Sequence, residues 1–394
     1  MDTGERSRAE SEPASLIERA RRLADDFARQ AGRYDREGRF PHDHLAALRE
    51  AGLLRLTLPR PLGGLGADLA ETAAVLRVLG AGDAATALIL TQHLAVVGAF
   101  AWLGSERCRR FLTEEVARDR FVGLFAGAPE FEGRAPTSAV RVANGWSLNG
   151  RKGFGTGCLA ADWAVVPAVA DRGEQRESLS CLVRLDSPGF SIVETWDTIG
   201  LRATASHDLV FEDCFVPDDD VVARSAESEF GPRPGGRNLA TGFFSFGMTL
   251  FAALYLGVAD AALACLRETL ATRTPIGRPN RLLDDPRVQA AYAEIELLHR
   301  SASAMLEWNA YRHRDPAAWT AAAFPDLVAT KDVVTRAAVD VVQRCFQLAG
   351  GVALWRRLPL ERYLRDVQGG PLHPFNHGAT LALLGSLAAK VEEP

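Results

Sequence analysis

Nowhere in this sequence do two cysteines stand at CxxC spacing. The six present (Cys108, Cys158, Cys181, Cys214, Cys265 and Cys345) are scattered, which argues against a zinc site or a disulfide framework. Free thiols in a reducing compartment are expected, and with them a cytoplasmic location. A large excess of either sign of charge is also missing. The net charge of -5 gives no sign of a surface built for nucleic acid or for anionic lipid. No run approaches the roughly 18 apolar residues of a membrane-spanning helix. Met1–Pro13 is polar and lacks the apolar core of a secretory leader, so residues 1–13 are expected to be a disordered tail. No internal repeat is visible.

What is present is core material. Of 394 residues 47% are hydrophobic and 24% charged, with seven Trp and nineteen Phe. Length and composition fit a globular protein with a large core and two or three domains, and the helical, then β, then helical patterning makes it α+β multi-domain. Residues 14–120 read as an N-terminal helical domain. Leu16, Ala20, Leu23 and Phe27 recur at helical spacing, and Pro41 opens a second helix. Further helices are predicted at Leu69–Leu79, Ala84–Leu103 and Arg107–Arg118.

From Phe121 short runs of β-formers alternate with turn residues. Ala143-Asn-Gly145 and Asn149-Gly150 read as hairpin turns. Residues 121–224 are therefore predicted to form a middle, β-barrel-like domain of seven or eight strands. The Gly/Pro-rich stretch 225–238 reads as a linker loop. Helical patterning returns over 239–394, at Leu239–Thr272, Pro286–Arg314, Ala317–Ala349 and Phe375–Val391, as expected of a C-terminal four-helix bundle.

The most distinctive string is Trp196-Asp-Thr-Ile-Gly-Leu-Arg-Ala-Thr-Ala-Ser-His-Asp-Leu-Val-Phe-Glu-Asp-Cys-Phe-Val-Pro217. It reads as a glycine turn, an alternating strand and an acidic turn closed by Val-Pro. Together with Asn149-Gly-Arg-Lys-Gly-Phe-Gly-Thr-Gly157 it resembles the end of the middle domain in the acyl-CoA dehydrogenase superfamily. The resemblance implies a flavin, FAD with FMN as the alternative. It places Phe154 against the flavin ring and Thr156 near the ring nitrogen that gains charge on reduction. Leu124-Phe-Ala-Gly-Ala-Pro129 stands where the family has its first flavin strand, which makes Phe125 and Gly127 cofactor candidates. Arg273-Thr-Pro-Ile-Gly277 resembles the turn whose arginine reaches a flavin phosphate. Gln347-Leu-Ala-Gly-Gly351 resembles the segment that approaches the adenosine part of FAD, through Gln347, Gly350 and Gly351. In the family both segments act across a subunit interface, so a homo-oligomer, tetramer or dimer, is implied. Glu361-Arg-Tyr-Leu-Arg-Asp366 matches a family motif and reads as structural.

The dehydrogenases abstract a proton with a carboxylate, and this chain lacks one at the expected places. Counting from Arg365 puts Pro374 there, aligning on Gly-Ala-Thr puts His377 there, and the alternative position on the first bundle helix is Gly247. The tail through His373 resembles instead the type-2 branch of flavin-dependent monooxygenases and N-oxygenases. That branch takes reduced flavin from a separate reductase and reacts it with oxygen. His93 and His373 are the proton-handling candidates, His377 a candidate substrate contact, and His207 a structural residue. Three readings follow. One is a monooxygenase or oxidase acting on a small organic substrate. The second is an acyl-thioester dehydrogenase with another base, for which Glu130 and Glu132 are weak candidates, and with an electron-transfer partner. The third is a catalytically degenerate scaffold subunit. No metal site is expected.

Overall fold

The computed structural model describes residues 15–125, 127, 137–172, 175–226, 236, 238–277 and 279–389. The expected N-terminal tail and most of the expected linker lie outside the described residues.

Helices α1 (Leu16–Glu37), α2 (His42–Glu50), α3 (Leu69–Gly82), α4 (Ala84–Leu103) and α5 (Glu106–Glu114) form the first layer. Their ends follow from local chemistry. Ser15 and Asp68 build capping boxes with Glu18 and Glu71. Asp83 caps α4, and Gly104 ends it in a left-handed turn. Every residue of α4 from Ala84 to Phe100 is buried. By length and composition α4 and the later Leu239–Thr272 helix could cross a membrane, contrary to the expectation that no such run exists. Both are instead buried within the molecule as core helices.

The middle unit contains β1 (Val122–Leu124), β2 (Ser138–Val142), β3 (Gly145–Gly155), β4 (Trp163–Arg172), β5 (Gln175–Arg184), β6 (Phe190–Val193), β7 (His207–Pro217) and β8 (Val221–Ala226). The sheet order is β6-β7-β3-β2-β4-β5-β8, with β1 added parallel to β4. Among the described residues β6 and β8 do not pair, so the sheet wraps without hydrogen-bonded closure. Trp146, Leu148, Val166, Leu179 and Phe211 fill its inner face. Asn144 makes the expected β2–β3 turn with φ 61°. Asn149-Gly150 is not a turn. It lies inside β3 at a register shift against β7, where Gly150 at φ 143° passes so close to Thr137 that a Cβ would lie 2.8 Å from its Cα.

The C-terminal unit comprises α6 (Leu239–Thr272), α7 (Pro286–Arg312), α8 (Ala323–Ala349), α9 (Leu360–Asp366), α10 (Gly369–Leu372) and α11 (His377–Ala388). Helix α6 is the axis, packed on α3, α4 and α8. The α3–α6 crossing depends on glycine. A Cβ on Gly257 would lie 2.0 Å from the Arg77 carbonyl oxygen, and one on Gly80 2.3 Å from that of Leu254. Gly257→Ala is therefore expected to destabilise the protein by about 1–3 kcal/mol through overpacking, read as a lower melting temperature. Gly32→Ala in α1 meets only the flexible end of Arg36. It should be neutral or raise stability by about 0.5–1 kcal/mol through backbone entropy.

Candidate functional site

The large cavity opens where β3, the Trp196–Ser206 loop and the C-terminal helices meet. Its volume is about 760 Å³, in the range of small-molecule sites. The sheet side supplies Gly127, Phe154, Thr156 and Trp196. The helical side supplies Leu88 and Gln92 from α4 and Phe243, Phe244 and Phe251 from α6. Leu372, His373, Pro374 and Asn376 close the far end. Among the described residues no Asp or Glu lines this space. Arg365 does, but its charge is spent. It forks onto Asp35 at 2.6 and 2.8 Å, and also meets Glu361 at 2.8 Å and the Ile199 carbonyl at 2.8 Å.

The sheet wall suits a flat aromatic ring. Phe154 is 55% exposed, with its ring on the cavity wall, and holds a left-handed backbone with φ 56°, uncommon for a bulky residue. Trp196 stands edge-on to it at 6.0 Å. The Nδ1 of His207 accepts the N–H groups of Thr195 and Trp196 at 3.1 Å each, which ties the tryptophan segment to β7. The structural reading of His207 agrees with these bonds. Gly127 bridges Gly153, and a Cβ there would lie 2.7 Å from the Gly153 carbonyl. Thr156 lines the wall with its polar groups already engaged. Its N–H is already donated to Phe154 O at 2.8 Å, and its hydroxyl joins a chain with Ser206 (2.8 Å) and Thr204 (2.7 Å). A cleft with a bare aromatic, a glycine floor and a hydroxyl chain fits an isoalloxazine.

His373 faces this wall from the helical side. Its ring stacks on Phe251 at 4.4 Å and 9°. Tyr255, fully buried, lies with its hydroxyl 2.8 Å from Nε2. The phenol has no other acceptor among the described residues, so its O–H donates to Nε2 and the neutral ring keeps its proton on Nδ1. Burial, helped by the nearby Lys331 ammonium, pushes His373 down to about 3. Burial also pushes the Tyr255 phenol well above its ordinary value.

The other candidates lie elsewhere. His93 does not reach the cavity. It is fully buried, donates Nε2–H to Leu54 O at 2.7 Å and accepts the Val122 N–H on Nδ1 at 3.1 Å. It also stacks on Phe121 at 5.0 Å, so both ring nitrogens are consumed in joining α4 to β1. Its neighbour Gln92 is the polar residue that α4 presents to the cavity, beside Leu88. Phe125 is buried in the sheet core, away from the cavity wall. Arg273 donates to Ala349 O at 3.1 Å, so it and the Gln347–Gly351 turn share one corner, remote from Phe154. Gln347 lines a separate groove between α7 and α8. Gly350 and Gly351 have nothing within 4 Å of a built Cβ. His377 is exposed, with Nδ1 3.0 Å from an Asp332 carboxylate oxygen. Gly247 is buried in α6, and Glu130 and Glu132 lie outside the described residues. Among the described residues no cluster could hold a metal ion. The sequence reading missed Gln92, Trp196, Phe243, Phe244, Phe251, Tyr255 and Asn376. Of these only Trp196 and Asn376 stood in segments already singled out, 196–217 and 365–380.

Comparison with known proteins gives the family. The chain matches the N-terminal domain of acyl-CoA dehydrogenase over residues 10–119, the middle domain over 130–214 and the C-terminal domain over 249–377. It is 33% identical over 384 residues to the putative acyl-CoA dehydrogenase YdbM of Bacillus subtilis (strain 168), covering 96% of each chain. It is 29% identical over 373 residues to the amino sugar nitrososynthase RubN8 of Streptomyces rubradiris, covering 92% of this chain and 86% of the relative. The structure of KijD3 with FMN and a dTDP-linked amino sugar matches with a TM-score of 0.84 at 27% identity, covering 97% of this chain and 96% of that one. The chain belongs to the acyl-CoA dehydrogenase family, on its type-2 side. It is a flavin-dependent oxidoreductase.

Burial also depresses His93, to about 4. Both His93 and His373 are therefore neutral when folded and take up a proton when unfolded, below about 6.5. The unfolded chain then binds more protons, and stability falls as pH drops from about 6.5 towards 4. Each histidine contributes at most about 1.4 kcal/mol per pH unit across that window. Melting temperature measured against pH should show the fall, and His93→Gln should flatten it while leaving flavin binding in place.

Proposed function

We propose that this chain is a flavin-dependent monooxygenase acting on a small organic substrate. The observation that carries the reading is a cavity with an exposed aromatic wall, a neutral histidine opposite and no carboxylate among its described lining residues. Thioester desaturation needs a positioned base, and oxygen activation does not. When bound, reduced flavin supplies the two electrons that activate oxygen. One oxygen atom goes to the substrate and the other leaves as water.

The residues divide the work by position. Phe154 and Trp196 flank the ring, and Thr156 with Ser206 offers hydroxyls along its edge. Phe243, Phe244, Phe251 and Leu372 exclude water from the chamber. Gln92 and Asn376 are the uncharged polar groups available to orient a substrate. His373 carries its proton on Nδ1 and can donate it as a hydrogen bond into the chamber, the ring staying neutral while Tyr255 holds Nε2. A separate reductase supplies the reduced flavin.

The flavin is FMN or FAD, since both carry the same ring. The Arg273–Gly351 corner would serve the adenosine part of FAD bound to a second copy. Helix α11 favours such an assembly, because it is rich in Leu and Ala yet has only Thr380 buried. A homo-oligomer covering α11 is part of the proposal. The dehydrogenase reading draws on the name of YdbM and would need Glu130 or Glu132 at the ring.

Stopped-flow mixing with oxygen, after anaerobic reduction of the flavin-loaded protein, tests this reading. Reoxidation should run in two phases in the wild type. In His373→Ala the slow phase should collapse by about tenfold or more, as expected when one buried hydrogen-bond donor is lost. Acyl-CoA thioesters should leave the oxidised flavin unbleached under anaerobic conditions. Bleaching by any of them would establish the dehydrogenase instead.

A further inference from the structure

Lysine is rare in this arginine-rich chain, present only as Lys152, Lys331 and Lys390. Lys331, on α8, is fully buried. Among the described residues no carboxylate bonds to it. Its Nζ instead lies 3.4 Å from Pro371 O, 3.0 Å from His373 O and 3.3 Å from Phe375 O. These carbonyls follow one another at alternate residues where α10 ends and the chain turns towards α11. Helix α10 is a single turn, so its final carbonyls have no following turn to bond them. The turn is bent further by Phe375, a non-glycine residue at φ 57°.

A buried ammonium is costly unless each N–H finds an acceptor. Here three donors meet three carbonyls. A guanidinium is planar and larger and cannot splay its donors in that way. The choice of lysine at this point, in a chain that uses arginine almost everywhere else, matches that geometry.

The three contacts fix the main chain on either side of His373, and Tyr255 and Phe251 fix its ring. Nδ1 is the one ring nitrogen left without a protein partner among the described residues. We propose that Lys331 is a positioning residue. Its ammonium folds the 371–375 turn so that Tyr255 can hold Nε2 and Nδ1–H is aimed into the cavity. The functional part of this proposal rests on the reading that His373 donates a hydrogen bond from Nδ1–H beside the flavin.

The test uses the full chain carrying nitrogen-labelled histidine, without flavin and then with FMN. His373→Gln assigns the His373 signals. The wild type should show one tautomer with the proton on Nδ1. Tyr255→Phe should mix the tautomers. Lys331→Met should displace or broaden the His373 signals, and Lys331→Arg should fail to restore them. Melting temperature serves as the folding control. Should Lys331→Met not fold, Lys331→Gln keeps fewer donors and should give a smaller displacement of the same signals. In the oxygen reaction the Lys331 variants should shift by about tenfold or more towards the rate of His373→Ala. His373 signals unchanged in folded Lys331 variants would overturn the proposal. Displaced signals in a protein whose flavin is bleached by acyl-CoA would uphold the positioning and refute the oxygenase reading.

Discussion

Arg365 is the fork on which the site depends. It binds both carboxylate oxygens of Asp35 on α1 and the carbonyl of Ile199 in the loop before β7. Beside it the Asp366 carboxylate accepts the Leu201 N–H at 2.6 Å. Burial pushes Asp366 up to about 7 against the pull of Arg362, so this contact lies in a weakly solvated place. Gly200 lets the loop press against α9, since a Cβ there would lie 2.3 Å from Arg365 O. One short helix thus joins the N-terminal helices, the sheet and the bundle. The loop so held carries Trp196, Thr198 and Ile199 to the cavity.

The cavity inherits its chemistry from that junction. The charge at its edge is neutralised by Asp35 and Glu361, so the interior is left to aromatic rings, amides and hydroxyls. In such surroundings an imidazole stays neutral, and the tyrosine beside it keeps its proton. A carboxylate placed there would have to be desolvated, and none is found among the described lining residues.

Much of this was legible in the sequence because local chemistry and fold agree. Helices α4 and α6 begin and end where predicted, at Asp83, Gly104 and Asn238. Strands β2 and β6 also match. Asn149-Gly150 misled because glycine there serves a register shift and a close approach to Thr137, not a turn. His93 misled for another reason. A helix buried on every side has no periodicity to show which face meets the site, and one residue along α4 rotates the side chain from cavity to core. The Phe244–Phe251–Tyr255 face of α6 was hidden in the same way. His373 was singled out only through the resemblance of its segment to the type-2 branch, and the structure places it on the cavity wall.

The most direct measurement is an experimental structure of the flavin-loaded protein that shows the whole 125–137 segment. The ring should lie between Phe154 and His373, with His373 Nδ1 towards its reacting edge and no carboxylate in contact with the reactive nitrogen. A ring bound elsewhere, or Glu130 or Glu132 pointing at that nitrogen, would contradict the account.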